Sequence, residues 1–477
     1  MDLVIGHPRI SSGSTFGLAV SAVLTLLNPV CSFGQPDPKT NIILIMADDI
    51  GYGDLGCYGQ ETIQTPHIDA LAQQGTRFTQ AYAGGCVCTA SRSVLMTGLH
   101  NGHTPARDNV PHFVSYLDND DITLAEVLSG AGYRCGGVGK WSLGAPDSPG
   151  SATNQGFDMW FGYMDQDHAH YYYPEYLDDS KAKNGRLELP GNSSAKRHYS
   201  HDLIAERAQD FIRESQDRPF FLYAAFSLAH FSSPSEDPDR LAVPSTDPYT
   251  NTSWSQPAKK YASMVTRLDR DIGRINDLVK ELGIAENTLI IFTSDNGPWE
   301  GLTKAFNSSG PLRGGKRTLY EGGIRVPFIA TWPGKVRQDN VSSEIITFWD
   351  LLPTLAEIAG AKAPNKMDGI SVLPALWGER QLSHHEYLYW DYGHNRAAYH
   401  QAVRINHWKG VRKGLDQEIE LYDLDNDLGE SQNLAGEHPN VFSQVAAIMK
   451  EAAIPSERYP VGERYQGKPV WKASDHW

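Results

Sequence analysis

A cysteine and an arginine four residues apart are the first side chains whose types and spacing could do chemistry. Cys88 follows Gly84 and Gly85 and precedes an apolar helical pattern that ends at Gly98. This order places Cys88 at a helix N-terminus, where free backbone N–H groups and the helix dipole favour an anion. Arg92 lies one turn further on the same helix face and can point at whatever Cys88 contacts. The group suits a tetrahedral oxyanion, although an ordinary buried cysteine beside a surface arginine fits the same residues.

Two pairs of polar side chains follow apolar runs that are typical of buried parallel strands. The pairs are Asp48 with Asp49, and Asp295 with Asn296. Because α/β sheets bind their ligands at the carboxyl ends of the strands, we expect the two pairs to converge there. Their oxygens would form a hard-cation site that suits Ca²⁺ or Mg²⁺ rather than zinc. Each pair alone could instead cap a helix or lie in a solvated turn.

The elements that must position these side chains alternate between strand and helix. Apolar runs predict strands at 41–46, 133–138, 219–224 and 288–293, and helical spacing predicts helices at 66–75, 123–130, 200–215 and 257–283. The alternation predicts an α/β fold, with a large mixed, mostly parallel sheet sandwiched by helices. The aromatic and histidine-rich residues 156–176 fit neither period, and we predict a loop or insertion there.

The pattern of the sequence changes beyond about residue 366. Short alternating segments at 386–390, 401–404, 408–412 and 420–424 predict a small antiparallel sheet, and residues 439–453 predict a helix that packs on it. We therefore predict two parts, a catalytic α/β domain over 41–365 and a smaller C-terminal α+β subdomain over 366–477.

The N-terminal residues are typical of a targeting segment. Arg9 precedes an apolar stretch at 16–30 that is too short for a comfortable membrane span, and Ser32 and Gly34 offer small residues for cleavage. We predict a signal peptide over 1–34, export to the periplasm or the extracellular space, and no stable membrane anchor.

Charge and cysteine content exclude two classes of protein. The formal net charge of −15 argues against nucleic acid as a partner, since binding it requires a basic face. A small positive pocket can still lie on an acidic surface. The five cysteines are too few for a disulfide-rich scaffold, and their spacing does not indicate how they pair.

The residues around Cys88 resemble the signature of a known enzyme family. Cys88-Thr89-Ala90-Ser91-Arg92 is similar to the signature of type I sulfatases, arylsulfatase-like members of the alkaline phosphatase superfamily in which the cysteine is converted to formylglycine. Further segments resemble other motifs of that family in the expected order: 48–56 (DDIGYGDLG), 132–141 (GYRCGGVGKW), 294–297 (SDNG) and 315–327 (GKRTLYEGGIRVP). The similarity extends from about residue 41 to the C-terminal segment at 420–424.

The resemblance implies a reaction and its cofactors. The expected activity is hydrolysis of a sulfate monoester, on a sulfated carbohydrate or small molecule, in an alkaline-phosphatase-like fold. The implied cofactors are formylglycine, made from Cys88 by a maturation enzyme, and a divalent cation, Ca²⁺ rather than Mg²⁺. The implied metal ligands are Asp48, Asp49, Cys88 in its modified form, Asp295 and Asn296.

The resemblance also implies a role for each catalytic residue. One hydroxyl of the formylglycine hydrate at position 88 would attack sulfur, and the other would release sulfate by collapsing to the aldehyde, an exit that a thiol lacks. Arg92 would orient this residue, and Lys140 and Lys316 would contact sulfate oxygens. Either lysine, or His230, would protonate the leaving alcohol. The cation would act as Lewis acid and template.

The sequence departs from the family pattern at two positions. Ala90 stands where many members have proline, which could change the maturation enzyme that acts on Cys88. Ser142 stands where many members have the histidine that contacts the hydroxyl to be deprotonated. Because serine cannot act as a base at neutral pH, another group must take part in sulfate release.

Four residues are predicted to contact the substrate: Asp165, His168, His170 and Arg313. Export and the aromatic stretch that contains three of them favour a sulfated sugar, since sugar rings stack on aromatic faces. Packing roles within a loop fit the same residues.

Two other functions remain open from the sequence. A phosphoester hydrolase of the same superfamily would usually have a serine or threonine nucleophile and two zinc ions with histidine ligands, a pattern that Cys88 and the acid–amide metal set do not match. A catalytically inactive homologue that binds sulfated glycans would result if Cys88 stayed unmodified.

Overall fold

The computed structural model describes residues 40–231, 241–299 and 304–467. The predicted signal peptide over 1–34 lies outside these ranges. Among the described residues, no helix is both long enough and apolar enough to cross a membrane.

Ten strands of the described chain form one mixed sheet. They are β1 Asn41–Ala47, β2 Thr76–Tyr82, β3 Arg134–Lys140, β4 Met159–Tyr163, β5 Tyr176–Asp179, β6 Arg186–Glu188, β7 Phe220–Ala225, β8 Thr288–Ser294, β9 Arg325–Thr331 and β10 Asn340–Thr347. Their order is β10-β2-β9-β8-β1-β7-β3-β4-β5-β6. The central strands β8, β1, β7, β3 and β4 are parallel, whereas β9 is antiparallel to β8 and β2.

The central strands are buried from end to end, which explains their continuous apolar runs. Every residue of β1, β7 and β8 is buried, as expected for a parallel sheet covered on both faces. Successive side chains of β1 enter opposite cores. Ile43 and Ile45 pack in one hydrophobic cluster, and Ile42 and Leu44 pack in the other.

Helices cover both faces of this sheet. The α-helices of the described residues are α1 Pro66–Gln73, α2 Cys88–Thr97, α3 Leu124–Gly130, α4 Asn192–Ala195, α5 Ser200–Ser215, α6 Gln256–Glu281, α7 Glu321–Ile324, α8 Leu351–Ile358, α9 Leu373–Leu376 and α10 Pro439–Glu451. Helices α1, α5 and α6 pack in the hydrophobic cluster that contains Ile43. Helices α2, α3 and α8 pack in the cluster that contains Ile42. Thr123 and Glu126 form the capping box at the start of α3 that the sequence predicts.

A separate four-stranded antiparallel sheet follows the large one in sequence. Its strands are β11 Leu388–Tyr392, β12 His400–Ile405, β13 Trp408–Arg412 and β14 Ile419–Asp423, paired in that order. Helix α10 packs on it, with Val445 and Met449 against Tyr389, Val403 and Leu421. The predicted fold class, a large mixed sheet plus a small antiparallel one, is confirmed. The division of the chain at residue 365 stays a prediction.

Residues 156–176 were predicted to form a loop, and this is wrong. They contain β4, which pairs parallel with β3, and the short 3₁₀ turn His168–His170. Every residue of β4 is buried, so the strand lacks the polar alternation that would have revealed it. Strands β2, β5, β6, β9 and β10, which lie outside the central five strands of the sheet, were also missed.

Candidate active site

The two polar pairs at the strand ends stand side by side. Strands β1 and β8 are neighbours, and their last residues, Ala47 and Ser294, are paired in register. Asp48 and Asp49 therefore leave the sheet next to Asp295, and Asp295 Oδ1 accepts the backbone N–H of Asp49 at 3.3 Å. Asp49 has a positive φ of 64°, which turns the chain sharply at the end of β1. Asn296 follows Asp295 at the same edge of the sheet, and its Nδ2 donates to Asp49 Oδ1 at 2.7 Å.

Cys88 is the first residue of α2, as the sequence predicts. It follows Val87, which caps the helix in an extended conformation, and the cysteine is fully buried. Its Sγ lies 3.5 Å from Asp48 Oδ1 and 3.3 Å from Lys316 Nζ. The helix N-terminus thus points into a cluster of charged side chains.

Arg92 ties α2 to the strand ends. Its Nη2 lies 2.7 Å from Asp295 Oδ2 and 3.4 Å from Asp48 Oδ2. Its Nη1 donates to the backbone carbonyl of Lys140 at 2.6 Å. All three side chains are fully buried, so this guanidinium holds both carboxylates and the end of β3 in fixed positions.

Two lysines hold the other sides of the carboxylate pair. Lys140 Nζ lies 2.7 Å from Asp48 Oδ2. Lys316 Nζ lies 2.7 and 2.8 Å from the two carboxylate oxygens of Asp49 and 3.0 Å from His230 Nε2. The His230 ring also stacks on that of His170, with centroids 4.5 Å apart. The structure therefore brings together all five predicted catalytic residues.

Burial and charge shift the pKa values of these groups in different directions. Burial raises the pKa of Asp48, but Lys140 and Arg92 outweigh it and hold that pKa well below its usual value. Burial raises the pKa of Asp295 to about 6. Burial, with Asp295 and Asp48 nearby, raises the pKa of the Cys88 thiol to about 12. Burial and then Lys316 lower the pKa of His230, so its imidazole is neutral at pH 7.

The donor set fits a hard divalent cation. One ligand atom from each of Asp48, Asp49, Cys88 and His230 lies within 4.8 Å of the others. Asn296 Oδ1 is buried and accepts no hydrogen bond from any described residue. A buried carbonyl oxygen without a partner is costly, and a bound cation would satisfy it. The carboxylate and amide oxygens match the ligands that Ca²⁺ and Mg²⁺ prefer.

A cavity of about 390 Å³ opens beside this cluster. Asp49, Lys316, His230 and His170 line it, and they are predicted site residues. Sequence reasoning missed several other lining residues: Asn109, His112, Gln166, Asp167, Trp299, Arg317 and Arg396. Arg317 could have been found, because it follows Lys316 inside a recognised motif. Loop residues such as Arg396 carry no comparable signal.

Three of the four predicted substrate contacts lie elsewhere. Asp165 accepts the backbone N–H groups of Asp167 and His168 and so shapes the 3₁₀ turn. The His168 ring packs against Tyr163 and Tyr176. Arg313 donates to Tyr422 Oη at 3.0 Å and to the Glu430 carbonyl at 2.6 Å. These three side chains thus contact other parts of the chain, and of the four only His170 lines the cavity.

Ser142 has a partner at the edge of the cavity. Its Oγ donates to Gln166 Oε1 at 2.6 Å, and Thr89 Oγ1 lies 3.4 Å from the same oxygen. Gln166 therefore links the end of β3 to the start of α2. An amide does not titrate, so this link orients groups and does not move protons.

Comparison with known proteins shows the family to which the chain belongs. Residues 40–361 match the family model described as Sulfatase. The chain belongs to the sulfatase family. Residues 314–455 of this sulfatase also match the model described as N-sulphoglucosamine sulphohydrolase, C-terminal.

Relatives resemble this sulfatase along most of its length. Arylsulfatase A of Homo sapiens is 32% identical, with 87% of each chain covered. N-acetylgalactosamine-6-O-sulfatase of Bacteroides thetaiotaomicron is 29% identical, covering 87% of this chain and 94% of its own. The crystal structure of Ps i-CgsB in complex with k-i-k-neocarrahexaose has a TM-score of 0.76 at 28% identity, covering 90% of this chain and 95% of that one. The protein is therefore a sulfatase enzyme.

Proposed function

We propose that this sulfatase hydrolyses sulfate monoesters of a carbohydrate, with formylglycine made from Cys88 and a bound Ca²⁺. The observation that carries the proposal is the position of Cys88, buried at the N-terminus of α2 between Asp48 and Lys316. The carbohydrate is supported by relatives named N-acetylgalactosamine-6-sulfatase and by the oligosaccharide in the Ps i-CgsB complex.

An unmodified Cys88 fits this reaction poorly. Its raised pKa keeps the thiol protonated at neutral pH, and the thiolate, not the thiol, is the nucleophile. Formylglycine at this position would supply, as its hydrate, one hydroxyl to attack sulfur as the ester alcohol leaves, and a second whose proton would pass to a base as sulfate leaves and the aldehyde re-forms. The cation supplies Lewis-acid polarisation of the ester when bound. We propose that Asp48, Asp49, Asp295, Asn296 and residue 88 hold it.

The chain's own cations hold the sulfate group. Lys140 and Lys316 are buried and fixed by Asp48 and Asp49, so little reorganisation is needed when an anion enters. Arg92, anchored on Asp295, keeps residue 88 facing the anion. Preorganised charges in a water-poor site are worth more than the same charges in solvent.

The leaving alcohol needs a proton, and Lys316 with His230 can supply it. Lys316 stays protonated, because its carboxylate neighbours raise its pKa against the effect of burial. Its Nζ lies 3.0 Å from Nε2 of the neutral His230, which can accept a hydrogen bond from the ammonium and so hold it in place for proton transfer. Their contact with Asp49 places this pair next to residue 88.

The deciding experiment combines mass spectrometry with a hydrolysis assay. The peptide that carries residue 88, from protein made in its native host, should show the mass of an aldehyde in place of a thiol. The same protein should release sulfate from a sugar 6-sulfate and leave the matching 6-phosphate intact. A thiol mass with saccharide binding but no hydrolysis would indicate the inactive binder, and preference for the phosphate would indicate a phosphoester hydrolase.

Export, a maturation enzyme as partner and the two-part organisation belong to the same proposal. The signal peptide predicted over 1–34 supports secretion to the periplasm or the extracellular space. Residues 41–365 would form the catalytic domain and 366–477 the C-terminal subdomain. Detection of the mature protein in the exported fraction, shortened by its leader, would test the localisation.

A further inference from the structure

The tight turn Gly315–Thr318 presents two adjacent cations to the cavity, and among the described residues only Lys316 of the two pairs with a carboxylate. Thr318 N donates to the Gly315 carbonyl at 3.0 Å, which closes the turn. At its tip, Lys316 is paired with Asp49. Arg317 also lines the cavity, but no carboxylate among the described residues forms an ion pair with it. Its positive charge therefore remains available to a ligand.

The backbone at Arg317 favours glycine, not arginine. Its φ is +70°, at the third position of the turn, where glycine is usual because it has no Cβ. The position is fixed, since Arg317 N donates to the Cys86 carbonyl at 2.9 Å. A side chain kept in a strained conformation at the edge of an active site points to a use for that side chain.

A second arginine approaches the same place from the C-terminal sheet. Arg396, in the loop between β11 and β12, binds buried Asp108 through Nε at 3.0 Å and Nη2 at 2.8 Å. This bidentate pair holds the guanidinium rigidly while the side chain stays one-third exposed. Burial raises the pKa of Tyr392, and the charges of both Arg396 and Arg317 act against that shift. The two guanidinium groups thus lie near one tyrosine.

The rest of this wall suits a sugar ring. Arg317 Cζ lies 4.9 Å from the centre of the Trp299 ring, and Trp299 stacks parallel to Phe231 at 6.3 Å. Both rings are partly exposed, and the exposed parts of such rings can pack against the apolar face of a pyranose. Asp167 also lines the cavity, and its carboxylate can accept hydrogen bonds from sugar hydroxyls.

We propose that Arg317 and Arg396 bind a second anionic substituent of the substrate, a sulfate or a carboxylate, beside the ester that is cleaved at residue 88. The preferred substrate is then a saccharide with at least two negative charges. This inference rests on the proposed function, which places the cleaved ester at residue 88.

Three matched saccharides test the subsite. They are a disaccharide 6-sulfate, the same disaccharide with a second sulfate, and the same with a uronate carboxylate. The wild type should have a higher kcat/KM for at least one doubly charged substrate than for the 6-sulfate alone. The substrate with the larger increase in kcat/KM shows whether the subsite binds a sulfate or a carboxylate. Arg317→Gln should reduce that preference about tenfold or more, mainly through KM, because a charge-assisted hydrogen bond is lost. Arg317→Lys keeps the charge but lacks the planar fork of the guanidinium, so its preference for the doubly charged substrate should lie between those of the wild type and Arg317→Gln.

Arg213→Gln is the matched control, since this arginine is exposed on α5 and pairs with Asp210; its preference should equal that of the wild type. The subsite is refuted if the wild type does not discriminate, or if Arg317→Gln lowers kcat/KM equally for all three saccharides. If the wild type hydrolyses none of them, the proposed function has failed. Calorimetric titration with the disulfated disaccharide then still decides, because equal affinity for wild type and Arg317→Gln would exclude the subsite.

Discussion

At position 88 the surroundings oppose the chemistry of an unmodified cysteine. Burial and two nearby carboxylates raise the pKa of the thiol, so neither metal binding nor nucleophilic attack is favoured at neutral pH. The same surroundings suit a neutral hydrate, whose oxygens can accept hydrogen bonds from Lys316 and face the carboxylates of Asp48 and Asp49. Under the proposed function, residue 88 therefore suits the reaction in its formylglycine form and not as a thiol.

Replacing Cys88 by alanine should abolish hydrolysis and leave the fold intact. We expect kcat/KM to fall by on the order of a thousandfold or more, as for the loss of other covalent nucleophiles, with a small change in melting temperature because alanine fits at a helix start. Cys86→Ala is the control, since Cys86 is equally buried two residues earlier and should keep its activity. Steady-state kinetics on both variants would decide, and an active Cys88→Ala enzyme would refute the proposed nucleophile.

Removal of divalent cations should inactivate the enzyme and lower its melting temperature. The reason is the unsatisfied Asn296 Oδ1 beside Asp49, together with the carboxylates that surround it. Calcium added back should restore activity at lower concentration than magnesium, and Asn296→Ala should need at least about ten times more calcium. Because a bound ligand stabilises the folded state by RT ln(1 + [L]/Kd), thermal melting against calcium concentration reports the same affinity without catalysis. A chelated enzyme with full activity would contradict this.

At the scale of elements, the site depends on how closely β3 approaches its neighbours. Strand β3 ends in Lys140 and pairs with β7 on one side and β4 on the other. Gly139, just before Lys140, has a φ of +91°, and a Cβ there would lie 1.9 Å from the Ala225 carbonyl oxygen. The absence of a side chain at Gly139 therefore lets the lysine reach Asp48.

Gly139→Ala should damage both stability and activity. The methyl group must push β3 away from β7, which moves Lys140 from Asp48, so we expect a lower kcat and a lower urea midpoint. Gly132→Ala is the matched control, because Gly132 has a similar φ of +88° but nothing within 4 Å of the added Cβ. It should show only the cost of a positive φ, about 1–2 kcal/mol. Equal urea midpoints for the two variants would exclude the steric explanation.

The sequence was sufficient where the chemistry lies at the ends of regular elements. Asp48 and Asp295 could be placed because continuous apolar runs mark buried strands, and Cys88 because a helix pattern begins there. The sequence was insufficient where contacts between distant segments determine the position of a side chain. Arg313 and Arg396 are both loop arginines, and nothing local indicates that the first packs on Tyr422 while the second enters the cavity. The buried strand β4 was missed for the same reason, since its pattern has no polar face.

At the scale of the whole described chain, the two sheets are joined by a buried ion cluster. Lys409 of β13 lies 2.8 Å from Glu321 Oε1 and 3.1 Å from Glu430 Oε1, and all three side chains are fully buried. Glu321 belongs to α7, directly before β9 of the large sheet. Since Arg396 extends from the small sheet into the cavity, this cluster also fixes one wall of the candidate subsite.

Lys409→Met should destabilise the protein strongly. It leaves two buried carboxylates without their shared cation, a change that costs about 3–5 kcal/mol in other buried pairs. Lys413→Met is the control, because its ion pair with Glu420 is partly exposed and should contribute less than about 1 kcal/mol. Urea denaturation of the two variants measures the difference, and similar midpoints would contradict a structural role for the cluster.

The pH dependence of this cluster has a defined sign. Burial raises the pKa of Glu321, but Lys409 and Arg325 outweigh it and lower that pKa to about 2. The contribution of Glu321 to the free energy of unfolding is therefore present above its unfolded-state pKa. It is lost as the pH falls from about 4.5 to 2. Burial raises the pKa of Glu430 to about 7, so its contribution is present at low pH and is lost as pH rises from about 4.5 to 7. Without Lys409 both carboxyls bind protons more readily. The loss in free energy of unfolding caused by Lys409→Met should therefore be smaller at about pH 5 than at about pH 8.

The central strand has a consequence for the order of folding. Ile42 of β1 pairs with Phe221 on one side and with Leu289 on the other, so its partners are synthesised long after it. Pairings of such high contact order form slowly, and until β7 and β8 emerge from the ribosome β1 is an apolar strand with both edges open. A nascent chain that stops before Thr288 should therefore aggregate or bind chaperones, whereas one that continues past Lys316 has both strands that adjoin β1 and all the proposed catalytic residues.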